Sequence, residues 1–386
     1  MLHTATLILR RDLDYYRQVK SLPGCQYDAF KGTFSYYGLR DKGIIIYTGY
    51  KKADYSKSDT GYYYTSNVYM FINFERLLDQ SDRIRTFNDK DLEAFAVEFD
   101  RLMDSIGLPT LEYWDAHRID YCVNVKLIGT DSGHVADYVR LFKHGRIRHY
   151  LRRVYKDKQQ KQYDGSCYLV PKSNDKQKSK TGCYIVNIYD KQDECSKKKQ
   201  SEDVIKQAED ILRIEIQCFK PKLKTLKIKN NYNDMAAYRF LDNDIAKDLL
   251  LDEVSFMVGK GDFVLKRHGI KQIEASTYSQ PVKQSLIAIY DTATRDSNFG
   301  LDKAKANEKH FRDRMDRFDK LGISPIGISD NGKLNTKLTS PYRLLKDALE
   351  QDEYRPSLDD KDISRMSNDE VREMLDMRRA EENPFD

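Results

Sequence analysis

Three strand-like runs carry the residue types that can do chemistry. HRIDYCVNV holds Asp120, CYIVNIYDK holds Tyr189 and Lys191, and ILRIEIQCF holds Arg213 and Glu215. A phenol oxygen can attack a phosphodiester and form a covalent link to it. Its ordinary pKa of about 10 keeps it protonated at neutral pH, so it needs help. Mg2+ or Mn2+ held by the carboxylates of Asp120 and Glu215 would supply that help, because hard oxygen donors suit such ions. Lys191 or Arg213 would then offset the charge that grows on the phosphate in the transition state. A phosphotyrosine link conserves the bond energy and frees a 3′-hydroxyl that can prime a polymerase.

Side chains alternate between the two faces of a strand. In the first run Ile119, Tyr121, Val123 and Val125 form an apolar set, leaving Arg118, Asp120, Cys122 and Asn124 on the other face. The second splits into Tyr184, Val186 and Ile188 against Ile185, Asn187, Tyr189 and Lys191. In the third, Leu212, Ile214, Ile216 and Cys218 oppose Arg213, Glu215 and Gln217. If the strands are neighbours with their apolar faces under helices, Asp120, Tyr189, Lys191, Arg213 and Glu215 converge on one open face. The plainer reading is an antiparallel sheet whose wet face is laced by cross-strand charge pairs such as Arg213 with Asp120.

The elements that must position these residues follow from periodicity. GIIIYTGY (43–50), SNVYMFINF (66–74) and HRIDYCVNVKL (117–127) read as strands, while NDKDLEAFAVEFDRLMDSIG (88–107) has helical spacing and a cap at or near Asn88. A further helix is expected over about 133–143 and another from Ser201, which feeds the strand at 211–219. LRRVYKDKQQKQYDGS and KSNDKQKSK read as exposed polar turns. The fold class expected is α+β, a mainly antiparallel sheet with helices on one face, followed by a mostly helical C-terminal domain. LGISPIGISDNGKLNT after a helix has the layout of a winged helix. The domains expected are 1–230 for the chemistry, 231–350 for a helical DNA-binding domain, and 351–386 as a charged, mobile tail with a helix signal in NDEVREMLDMRRAEE.

Composition narrows the class. The chain has 386 residues, 33 % of them charged and 40 % hydrophobic, with 27 tyrosines and one tryptophan, which suits a water-soluble binding protein with a polar, aromatic-rich surface. The net charge is only +5. Basic residues nevertheless cluster between His144 and Lys229 and acidic ones after Glu350, so the middle of the chain is suited to nucleic-acid phosphate. The six cysteines form no CxxC pair and no zinc spacing. They read as reduced thiols, and with no signal peptide or membrane span in view a cytoplasmic location is expected.

RIDYCVNV, IVNIYDKQDE and LRIEIQC, in this order and at these intervals, resemble replication initiators of the Rep_trans type, a group of plasmid and phage initiators with conjugative relaxases as relatives. The resemblance covers mainly residues 110–220, with fainter echoes in SNVYMFINFERLL and FDKLGISPIGIS. It implies a rolling-circle initiator in which Tyr189 is the nucleophile, Lys191 its basic neighbour, and Asp120 and Glu215 the metal-ligand positions. Glu194 also matches an acid of the pattern, without a role. Such an enzyme nicks one strand at a double-stranded origin and stays attached to the 5′ end of the nicked single strand. Host helicase and polymerase would be partners, and two nicking events per cycle suit a homodimer or a second nucleophile. Two departures stand out: HGRIRH is not a His-hydrophobe-His metal motif, and Asn187 stands where the family has arginine.

Other readings compete for the same residues. Tyr189 can be an ordinary strand tyrosine, and Tyr184 is a rival nucleophile that alternation assigns to the core. His149 and Arg152 match the H-x-x-R of tyrosine recombinases, whose tyrosine belongs on a helix. A conjugative relaxase shares the nicking chemistry, whereas a non-catalytic DNA-binding regulator would need only the basic and helical segments.

Overall fold

The computed structural model describes residues 1–10, 13–29, 33–52, 64–79, 84–127, 134–154, 165–172, 183–295, 300–306, 309–330 and 337–354. The chain is α+β, with antiparallel ladders and thirteen α-helices among the described residues. Its packing forms two compact units. One is built on Met1–Tyr121 and Gln217–Ile245, the other on Cys122–Ile216 and Ala246–Asp352. This division falls elsewhere than residue 230, and the helices expected to stand apart after that residue mostly share a unit with the strands of the chain's middle. The expected mobile tail and its helix signal lie outside the described residues from 355 onward, as do most of the two polar turns.

The first unit contains β1 (Leu2–Arg10), α1 (Leu13–Ser21), β2 (Gln26–Asp28), β3 (Thr33–Tyr36), β4 (Ile44–Lys52), β5 (Tyr64–Asn73), α2 (Phe74–Asp79), α3 (Leu92–Asp104) and the start of β6 (Asp115–Lys126). Its strands run in the order β2-β3-β4-β5-β1-β6, each pair antiparallel. Register explains its two faces. Phe34 lies opposite Thr48, and Thr48 opposite Val68, so these share a side with the buried Met70 and Ile72. Tyr16 of α1 meets the Phe34 ring edge-on, which puts α1 on that side. Tyr47 and Tyr69, directly opposite each other, point the other way.

The cap expected near Asn88 is present. Its side chain accepts from the Lys90 N–H at 3.0 Å and the Asp91 carboxylate accepts from the Asn88 N–H at 3.0 Å, a reciprocal box that satisfies two helix-end donors. One 3-10 turn intervenes before α3, whose Leu92, Phe95, Ala96, Phe99, Leu102 and Met103 are buried at the spacing that lines one helix face. Phe74, Phe87, Phe95, Phe99 and Trp114 then form a chain of ring contacts with centroids 4.9 to 6.3 Å apart.

The second unit takes the rest of β6, then α4 (Val135–His144), β7 (Leu151–Arg153), β8 (Ser166–Pro171), β9 (Tyr184–Asp190), α5 (Lys191–Lys197), α6 (Glu202–Gln207) and most of β10 (Ile211–Phe219). The strand order here is β6-β10-β9-β8-β7. Cys167 and Leu169 lie opposite Ile188 and Val186, all four buried. Lys143 at the end of α4 reaches Cys167 electrostatically, so α4 serves this aliphatic side.

The chain continues as α7 (Lys220–Lys229), part of the first unit, and then α8 (Asn243–Val258), β11 (Phe263–Val264), α9 (Lys266–Ala275), α10 (Gln280–Arg295), α11 (Gly300–Ala306), α12 (Phe311–Leu321), β12 (Lys337–Leu338) and α13 (Pro341–Tyr354). The expected hairpin in LGISPIGIS takes another form. Ile323 and Ile328 bridge Asp262 and Leu265 in parallel, while β12 pairs antiparallel with β11. The Asn331-Gly332 turn lies outside the described residues. Gly322, at φ 70°, ends α12 in the left-handed region that a Cβ disfavours.

Candidate active site

β9 and β10 are neighbours, and their polar faces gather around Tyr189. Burial pushes its phenol well above the usual range, the charge of Glu215 raises it further, Arg213 opposes, and Glu194 adds to the rise. Glu215, Arg213 and Glu194 are therefore each within electrostatic reach of Tyr189. The Arg213 Nε donates to Asn124 Oδ1 at 2.7 Å. Alternation had placed Asn124 on the polar face of its strand but gave it no task.

The face is not open. Tyr189 is 7 % exposed, Lys191 6 %, Glu215 4 % and Arg213 0 %. On Tyr189's side of β8 and β9, Asn187, Ser166 and Tyr168 are half-buried. Alternation does not report what covers a strand, and Tyr189 is sealed where its neighbours on the same face are partly wet. Ions in such a place persist only when partnered.

Lys191 does not share a strand face with Tyr189. The strand ends at Asp190, whose carboxylate accepts from the N–H groups of Gln192 at 2.9 Å and Asp193 at 3.2 Å, and Lys191 opens α5. Period-two alternation stops where that cap turns the chain. One helical turn on, Glu194 receives Lys191 Nζ at 2.7 Å and also pairs with Lys198. Burial would raise the Glu194 carboxyl, but the Lys191 charge and the hydrogen bonds from both lysines outweigh it and bring it down to about 2. Glu194, left without a role by the sequence, holds the basic residue in place.

Asp120 lies in the first unit, 1 % exposed. Its carboxylate accepts from Thr4 Oγ1 and from Arg118, whose Nε is 2.7 Å away. Asp120 and Glu194 are not disposed to hold a metal. Asp120 is already charge-matched by Arg118, Glu194 by two lysines, and among the described residues no three His, Cys, Asp or Glu side chains gather as ligands.

Tyr184, the rival nucleophile, is 3 % exposed. Its hydroxyl donates to Glu253 Oε2 at 2.9 Å and accepts from Tyr150 at 3.1 Å, while Arg148 Nε reaches the same carboxylate oxygen at 3.1 Å. Burial raises both the Tyr184 phenol and the Glu253 carboxyl. This is a structural tie of α8 to β9, as alternation had assigned. Both downstream tyrosines of the recombinase pattern lie on a strand rather than a helix. None of the six cysteines is in a disulfide, and no described helix is long and apolar enough to cross a membrane.

KPKLKTLKIK forms the helix α7, anchored by buried Leu223 and Leu226, with Lys224 and Lys229 exposed and Ile228 76 % exposed. The sequence had marked this stretch only as part of the basic middle of the chain, because five lysines in ten residues mask its two buried leucines.

No protein-family model matches the chain. No curated protein matches it either. Among solved structures it is similar to a rolling circle replication initiator protein from Geobacillus stearothermophilus, at 10 % identity and a TM-score of 0.32, over 67 % of this chain and 84 % of that one. At that score and identity the likeness carries no weight for what this chain does.

Proposed function

We propose that the chain is a DNA-nicking strand transferase that initiates rolling-circle replication, with Tyr189 as nucleophile. The observation that supports this reading is the grouping of Tyr189 with Glu215 and Arg213 across β9 and β10. In the reaction the Tyr189 oxygen forms a bond to phosphorus and the bond from phosphorus to the 3′-oxygen breaks. The phenol proton passes to Glu215, and the departing 3′-oxygen takes up a proton to become the free hydroxyl. Arg213, positioned by Asn124, offsets the phosphate charge, and Lys191, held by Glu194, adds to the local positive potential. Because Tyr189 is sealed, the DNA must open this face before attack. The expected Mg2+ or Mn2+ belongs to the reading only if Arg118 releases Asp120. The helices after Ala246 and the lysines of α7 would hold a double-stranded origin, host helicase and polymerase would follow, and a homodimer would serve a second nick. A relaxase of a conjugative element would use the same chemistry on a transfer origin.

The burial of Tyr189 favours a second reading, a DNA-binding regulator without chemistry. The test is covalent. Incubated with Mg2+ or Mn2+ and a supercoiled plasmid bearing its own origin, the protein should give relaxed circles and a protein-DNA adduct, and folded Tyr189→Phe should give neither, a loss of at least about a thousandfold in adduct. An adduct from Tyr189→Phe sinks the assignment. No adduct from the unaltered protein favours the regulator.

A further inference from the structure

We propose that the face of the first unit's sheet opposite α1, centred on Tyr47 and Tyr69, is a stacking platform for the bases of single-stranded DNA. This goes beyond the nicking reading and stands even if Tyr189 proves purely structural.

The platform is built by register. Tyr47 and Tyr69 sit directly opposite on β4 and β5, with ring centroids 5.2 Å apart and planes 9° from parallel. His117 of β6 meets Tyr69 edge-on at 5.4 Å, and Asn67 Nδ2 donates to the Tyr69 hydroxyl at 3.4 Å. Along β5 the side chains of Asn67, Tyr69, Phe71 and Asn73 are half-buried, while Val68, Met70 and Ile72 on the helical side are at most 1 % exposed. A face meant for another helix would be aliphatic. This one offers aromatic rings, amides and a cation. Thr6 lies opposite both Phe71 and Arg118, which puts Arg118 on this face, and its charge is felt by the Tyr47 phenol. In the Arg118–Asp120 pair the guanidinium side chain is 28 % exposed and the carboxylate 1 %. Solvent therefore meets the cation, the complement of a phosphate backbone.

Single-stranded DNA is the occupant that uses all three features. Bases stack on aromatic side chains whatever their sequence, a guanidinium takes the phosphate, and amides reach base edges. Duplex DNA hides its base faces and could use only the cation.

The experiment is fluorescence anisotropy of the full-length protein with a labelled oligothymidylate, which carries no origin and so reports binding without strand cleavage. Tyr69→Ala and Tyr47→Ala should each weaken binding about tenfold, at the lower range for loss of one stacked base. Tyr69→Phe, which keeps the ring, should bind nearly as the unaltered protein does. Tyr69→Leu, which keeps the apolar bulk, should weaken as alanine does and guards against an alanine variant that fails to fold. An abasic oligomer of equal length should bind weakly and be indifferent to Tyr69→Leu. Equal binding by Tyr69→Leu, or abasic binding as tight as that of the thymidylate, overturns the proposal. Tyr189→Phe should leave this binding intact, so loss of nicking and loss of the platform are read separately.

Discussion

The polar faces of the two units follow the same alternation and end in opposite conditions. In the first, Tyr47 and Tyr69 are half-buried and stack on each other beside a partly exposed guanidinium. In the second, Tyr189 and Arg213 are sealed among charges, and the phenol is pushed well above its usual range. A wet aromatic face can receive a ligand without rearrangement, whereas a sealed ionic one stores its reactive groups until something opens it. Parity tells which side of a strand a residue takes. Only packing tells whether that side meets water.

Removing a charge from the sealed region should have the largest effect. Arg213→Ala should cost about 3–5 kcal/mol, because it breaks a buried ionic arrangement, while Tyr47→Ala on the half-open face should cost about 1 kcal/mol. Urea unfolding of the two variants compares them, and equal losses would erase the distinction between the faces.

A smaller effect is expected at Glu194. Its folded carboxyl lies near 2, below the ordinary 4.5, so its contribution is present above 4.5 and is lost as pH falls toward 2. Glu194→Gln should therefore be less stable at neutral pH by about 1–2 kcal/mol after allowing for solvent screening, with the gap closing as the medium is acidified. A gap independent of pH would remove the ion pairs as its cause.

The smallest effect lies at alkaline pH. Because the folded Tyr189 phenol is raised, its contribution is complete below the unfolded value of about 10 and is lost as pH rises through the folded one. The unaltered protein should therefore lose about 1 kcal/mol relative to Tyr189→Phe by pH of about 11. Parallel alkaline curves for the two would mean that burial does not hold the Tyr189 phenol protonated.

Much of the framework was legible in the chain itself. The run ILRIEIQCF coincides with β10, Asn88 caps at the start of the helical spacing, and Tyr184 is buried as its position on β9 required. These are local properties, set by side-chain period and by hydrogen bonds within one turn. Lys191 was misplaced because the Asp190 cap ends the strand one residue before it. The helix α7 was missed because five lysines in ten residues hide two buried leucines.

By itself, the sequence determined which residues alternate onto the polar faces and where strands hand over to helices, since both depend on neighbours a few residues away. Only the tertiary structure decided that Glu215 and Arg213 stand beside Tyr189, that Asn124 holds Arg213, and that the helices after Ala246 pack in the unit containing β9. It also decided that Tyr189 is sealed while Tyr69 is not. Burial is a property of what lies across the sheet, and that partner is chosen by chain segments tens to hundreds of residues away.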